Sequence, residues 1–145
     1  MILVAQVVLL AAAGAPIRQE LGDSCHHYAP AVVTLTGRLI QRTLPGPPNY
    51  QSIARGDRPQ LVDLLVLDAP LWTIPDYKDS PNTDAFQGQD TVQVRRAAAT
   101  WNDVRRLTGK RVSVVGTLSE WALGQDHTPV LIDPTSVRAI DTGRP

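Results

Sequence analysis

The chain has one cysteine, one methionine and one phenylalanine, and its aromatic content is only 5%. A single thiol, Cys25, rules out a disulfide within the chain and any site built from several cysteines. Few aromatic rings leave little from which to build a base-stacking platform. Net charge is missing as well: 14 Lys and Arg balance 14 Asp and Glu. The usual signature of a general nucleic-acid or anionic-membrane binder is therefore absent. No apolar run reaches the ~20 residues of a membrane span. The sequence holds no G-x-S-x-G nucleophile turn and no phosphate-cradling glycine loop.

What the chain does have is a repeated pattern. Val33, Leu35, Gly37 and Leu39 alternate with polar or small residues, and Val112, Val114, Gly116 and Leu118 do the same. Strict alternation predicts half-buried strands. A glycine at the same place in both predicts a bulge or a tight bend, as in a strand coiling round a small barrel. At 145 residues and 43% apolar, the chain fits one domain with a real core.

A first strand is expected from about Ala31 to Arg42, then a proline-bound loop through Pro45-Gly46-Pro47-Pro48-Asn49-Tyr50 to Pro59. Leu61 to Leu67 is apolar on both faces and reads as a buried second strand. Ala69 to Gln89 is a Pro-, Asp-, Asn- and Gly-rich excursion, and Thr91 to Arg95 a short third strand. Ala97 to Thr108 predicts a helix with Ala97, Trp101, Val104 and Leu107 on one face, Trp101 inward, closed by Gly109. A fourth strand runs from Arg111 to about Trp121. A fifth starts at Val130, is interrupted at Pro134 and closes over Val137 to Ile140. The expected fold is mostly β: a small OB-like five-stranded barrel over residues 31–141, with one helix between strands three and four.

Residues 1–15 carry no charge and are too short to span a membrane. They read as a secretory signal or apolar leader without a basic start, with Ala13 as the first choice of cleavage site. Residues 16–30 are expected to be an irregular lead-in segment. The charges cluster: Asp57, Asp63, Asp68, Asp76, Asp79, Asp84 and Asp90 precede Arg95, Arg96, Arg105, Arg106, Lys110 and Arg111. Two solvated faces that partly neutralise each other are expected. Arg55-Gly56-Asp57 spells an adhesion tripeptide but falls in an ordinary turn. His26, His27 and His127 have no spacing diagnostic of a metal site, so no metal and no cofactor are expected.

Tyr28-x-Pro30-Ala31-Val32-Val33-Thr34-Leu35-x-Gly37, the P-G-P-P-N-Y run (45–50) with Ser52-Ile53-Ala54, and Leu65-x-Leu67-Asp68-x-Pro70 form one set of motifs. Gly109-Lys110-Arg111-Val112-x-Val114-x-Gly116-Thr117-Leu118 and His127-Thr128-Pro129-Val130-Leu131 form another. Together they resemble a family of exported bacterial proteins known as domain of unknown function 4431, over most of residues 25–140. The resemblance implies an exported, OB-like β domain and no established activity. The family's loop before strand five is histidine-rich; here it reads Leu123-Gly124-Gln125-Asp126-His127-Thr128, which puts any metal or proton role of that loop in doubt. The family also tends to carry a cysteine where this chain has Trp72. Cys25 would then be the survivor of a lost disulfide, a bridge typically worth ~2–5 kcal/mol.

The expectation is an exported, periplasmic or secreted, non-catalytic binding module of the cell envelope, without a stable membrane span. Its partner would be a small molecule or an envelope protein. The candidate ligand surface is Asn49, Tyr50, Trp121 and His127, from the loops joining strands one–two and four–five. Two other readings remain: a hydrolase or metal-dependent enzyme on Glu120, Asp126 and His127, and a single-strand nucleic-acid binder through Arg95, Arg96, Arg105 and Arg106.

Overall fold

The computed structural model describes residues 25–75 and 84–141. The leader, its cleavage site, residues 16–24 and the middle of the 69–89 excursion lie outside the described residues. Within them the elements run β1 (Cys25–His27), β2 (Val32–Pro45), β3 (Pro59–Ile74), β4 (Gln89–Val94), α1 (Trp101–Leu107), β5 (Arg111–Glu120) and β6 (Val130–Ala139). The molecule is mostly β, with six strands where five were expected. The additional one, β1, arises in the segment read as irregular. Three residues, Cys-His-His, are too few to display an alternation.

Strand pairing closes on itself. β2 lies antiparallel to β3 and β5, β5 to β6, and β3 to β4, while β4 runs parallel to β6. The path β3-β2-β5-β6-β4 therefore returns to β3, and β1 is added outside this ring, parallel to β3. β3 is longer than the sequence predicted and takes in Asp68 to Ile74, with a register shift against β4 between Val66 and Leu71.

The two glycines mark where one strand serves two neighbours or changes register. β2 pairs with β5 over Val32–Arg38 and with β3 over Gly37–Pro45, so Gly37 is hydrogen-bonded into both ladders. A Cβ there would strike the carbonyl oxygen of Val66. At Gly116 a Cβ would strike the carbonyl oxygen of Asp133, beside a shift in the β5–β6 register at Val115/Gly116. Thr135 has no partner on β5 at this shift, and its hydroxyl donates to the Val115 carbonyl at 3.1 Å. The bulge also explains why Pro134 does not interrupt β6. A proline lacks a donor and is tolerated at an irregular ladder position.

The inward residues of both alternating runs meet in one core: Val33, Leu35 and Leu39 from β2, and Val112, Val114 and Leu118 from β5. Leu65, Val92, Val94, Ile132 and Val137 join it, as do Tyr28, Leu71 and Val130, and α1 contributes Val104 and Leu107. The helix is shorter than expected. The Ala97 carbonyl accepts a turn bond from the Thr100 N–H and a longer one from its hydroxyl, and helical structure begins at Trp101. Gly109 follows it at φ +87°, as a residue closing a helix should. Trp101 does not point into the core. Its ring is half-buried, with the guanidinium carbons of Arg96 and Arg105 at 4.6 and 5.9 Å from its centroid. Val104 and Leu107 fill the apolar side, and the ring stays at the boundary where those solvated arginines reach it.

The acidic and basic runs pair with each other. Arg96 Nε lies 3.4 Å from the buried Asp63. Arg111 contacts Asp68 at 2.7 Å and holds its carboxyl below the usual carboxylate range. Asp57 is buried as well, so the Arg-Gly-Asp tripeptide offers no free carboxylate.

Candidate functional site

β3 and β4 emerge side by side at one end of the ring, and the loop 121–129 folds beside them. Together they enclose a cleft of about 250 Å3, lined by Gln60–Asp63, Gln93–Arg96, Gln125 and Asp126. Gln93 faces away from its neighbours Val92 and Val94, which the alternation sends into the core. It fastens the loop to β4. Its backbone N–H donates to Thr128 Oγ1 (2.9 Å), its Nε2 to the Gln125 carbonyl (3.3 Å), and its Oε1 accepts the His127 N–H (2.7 Å).

Asp126 fastens the same loop from within. Its Oδ2 accepts the N–H groups of Ala122 (2.9 Å) and Leu123 (3.1 Å), and Arg95 Nη2 at 3.3 Å. Arg95 Nε is sealed from solvent without a hydrogen-bond partner and lies 4.0 Å from Asp133. On the other wall, Asp63 accepts Gln41 Nε2 (3.0 Å) and Arg96 Nε, while Arg96 Nη2 donates to the Leu61 carbonyl at 2.9 Å. The cleft thus holds two guanidiniums and two carboxylates, Arg96 against Asp63 and Arg95 against Asp126, with Asp133 also 4.0 Å from Arg95.

The four residues expected to form the ligand surface are divided. Trp121 and His127 do share a shallow cleft, about 230 Å3, with Phe86, Thr128 and Pro129 on the far side of the loop. Trp121 is 57% exposed, and Leu123 beside it 58%. Burial lowers the His127 pKa, with Asp126 opposing, and its Nε2 has no partner. Tyr50 stands at φ 58° and lays its ring on the same loop. A Cβ at Gly124 would come within 2.9 Å of that ring. Asn49 instead gives its backbone N–H to Asp57 at 2.9 Å.

Sequence reasoning missed Gln60, Asp63 and Gln93. A glutamine between two core valines was the available signal for Gln93. Asp63 sat inside an apolar run, where a carboxylate predicts a buried partner. Of the enzyme reading's residues, Asp126 is spent on the loop backbone and Arg95, and Glu120 Oε2 accepts the Asp84 N–H at 3.4 Å. Among the described residues no group of three or more His, Cys, Asp or Glu side chains is placed to hold a metal ion. No described helix is long and apolar enough to cross a membrane.

Compared with known proteins, this chain matches no family model, no curated protein and no solved structure.

Proposed function

We propose that this chain is an OB-like β-barrel domain acting as a non-catalytic binding module, and that its ligand occupies the cleft between β3, β4 and the loop 121–129. The observation that carries this reading is the position of the cleft. In an OB barrel the first three strands pair in succession and ligands lie across strands two and three, beside the loops joining strands one–two and four–five. With β2 counted as the first barrel strand, strands two and three are β3 and β4. The loop joining strands four and five is then 121–129. α1 falls between barrel strands three and four, with Val104 and Leu107 against the core.

The cleft's chemistry favours a neutral polar ligand. Arg95 and Arg96 are each offset by an aspartate, so no strong net field remains. Planar forks and amides remain, which match hydroxyl or amide groups. An envelope location fits such a ligand, and the resemblance to domain of unknown function 4431 implies export. The β1–β3 register sets Cys25 opposite Trp72. Neighbouring strands lie ~4.8 Å apart, within the Cα range of a disulfide. This supports the reading of Cys25 as one half of a bridge whose other half the family carries at position 72.

The nucleic-acid reading is weaker. Trp101 is the ring nearest to the basic residues, it is half-buried, and it already carries the guanidiniums of Arg96 and Arg105.

A nuclear magnetic resonance screen with neutral oligosaccharides and short peptides tests the proposal. The expected result is a saturable shift of the Gln60, Gln93 and Arg95 side-chain signals, weakened at least about tenfold in Arg95→Ala. Ligands that shift only Phe86, Trp121 and His127 would overturn it in favour of the aromatic cleft.

A further inference from the structure

Next to the polar cleft, and sharing Leu61 and Arg96 with it, lies a wider hollow of about 490 Å3 between β3 and α1. Its remaining lining is Gln41, Trp101, Arg105 and Thr108. Most polar groups here are already committed. Gln41 Nε2 donates to Asp63, and Thr108 Oγ1 donates to the Val104 carbonyl at 2.9 Å. Arg96 has Nε and Nη2 engaged, which leaves Nη1.

Arg105 differs from the arginines near it in the sequence. Arg95, Arg96 and Arg106 each contact a carboxylate, whereas Arg105 makes no ion pair among the described residues. Its guanidinium rests on the same Trp101 ring as that of Arg96. Two cations thus share one ring, with a single carboxylate, Asp63, behind them. The ring and the bonds of Nε and Nη2 hold the Arg96 fork, so it has little rotamer freedom left to lose when it closes on a ligand. Leu61, which lines the same hollow, is 51% exposed and offers an apolar surface there.

We infer that this hollow binds an amphiphilic oxyanion, a carboxylate or phosphate head on a compact apolar body. The head bridges the free edges of Arg96 and Arg105, neutralising the excess cation. The body covers Leu61 and the edge of Trp101. The inference stands apart from the polar cleft: it requires no ligand there, and a neutral ligand in the cleft does not require it.

The probes are benzoate and phenyl phosphate, with acetate, inorganic phosphate and phenol as partial or neutral counterparts. Titration followed by nuclear magnetic resonance reads the Arg105 Nε–H, the Trp101 Nε1–H and the Leu61 methyl signals. Benzoate or phenyl phosphate is expected to shift all three saturably, at concentrations about tenfold or more below acetate or inorganic phosphate. Whichever of the two binds more tightly identifies the head group. Arg105→Gln should weaken binding about tenfold, and Leu61→Ser should remove the advantage of the aromatic probes while sparing the inorganic ones. The Val104 methyl signals report the fold in both variants. Phenol binding as well as benzoate, or an unchanged affinity in a folded Arg105→Gln, would overturn the inference. So would the absence of any saturable shift. None of these results bears on Gln60, Gln93 or Arg95, whose signals report the polar cleft.

Discussion

Asp57 and Asp126 each gather a loop, but they are connected to different things. Asp57 takes donors of its own loop: the backbone N–H groups of Asn49 (2.9 Å), Gln51 (2.8 Å) and Ser52 (2.8 Å), and the Asn49 side chain. Those bonds hold its carboxyl below the ordinary carboxylate pKa. Asp126 takes two backbone donors and one guanidinium, and the guanidinium belongs to the cleft. The loop 46–58 is therefore closed on itself. The loop 121–129 is open to whatever engages Arg95. On the proposed function, the first is scaffold and the second responds to the ligand.

Asp57→Asn should break the first loop and give the largest effect. An amide replaces one acceptor oxygen with donors that face the Asn49 N–H or, with the amide turned over, the N–H groups of both Gln51 and Ser52. Tm at neutral pH is expected to fall by on the order of 10 °C. The pH dependence has a definite sign. A carboxyl whose folded pKa is lowered contributes fully above its ordinary value of 3.8 and loses that contribution as pH falls through the folded value. Thermal unfolding between pH 7 and pH 2 should therefore show an acid limb in the parent chain that is shallower in Asp57→Asn. Equal limbs would mean that Asp57 is not the organising group.

Asp126→Ala should cost less, about 1–2 kcal/mol, because Asp126 gathers two backbone donors where Asp57 gathers three, and water can satisfy the freed N–H groups of the exposed Ala122 and Leu123. It should instead move the Arg95 Nε–H signal. A stability loss matching that of Asp57→Asn would erase the distinction between the loops.

How much of this contrast was legible in the sequence depends on the range of the interaction. The strand alternation around Val33–Leu39 and Val112–Leu118 is local, and so was the prediction of both strands and of their inward residues. The need for glycine at 37 and 116 was legible too, but its cause was not. It lies in the carbonyls of Val66 and Asp133, on strands distant in sequence. Trp101 was misplaced because helical spacing gives a face and not the depth at which that face ends. Trp121 and His127 line one shallow cleft, since both belong to one loop. The polar cleft escaped because Asp63, Gln93, Arg95 and Asp126 come from three separate segments. Only the ring of pairings brings them together.

Tyr50 joins the two loops, with its backbone in the first and its ring on Gly124 of the second. Tyr50→Ala is expected to lower stability by about 1 kcal/mol and to shift the Gly124 amide signal. An unchanged Tm with weakened ligand binding would reassign the ring from latch to recognition element.

The smallest effect separates the loops on the pH axis. His127 belongs to the loop 121–129, and no histidine lies in 46–58. Burial lowers its pKa from 6.5, and its Nε2 is sealed without a partner. The unfolded chain therefore takes up a proton at a higher pH than the folded one. Stability should decline as pH falls through 6.5 toward the folded value, and level off below it. His26 also has a pKa lowered by burial and contributes in the same window, so the total slope cannot be assigned to one residue. The difference between the parent chain and His127→Gln isolates the loop's share. Amide exchange gives the sharper reading. Between pH 6.5 and pH 5, after correction for intrinsic rates, protection should fall at residues 121–129 and hold at 46–58. In His127→Gln it should hold at both. Protection lost equally in the two loops would mean that they open as one unit, with Tyr50 as the coupling, and the division into scaffold and responsive loop would not stand.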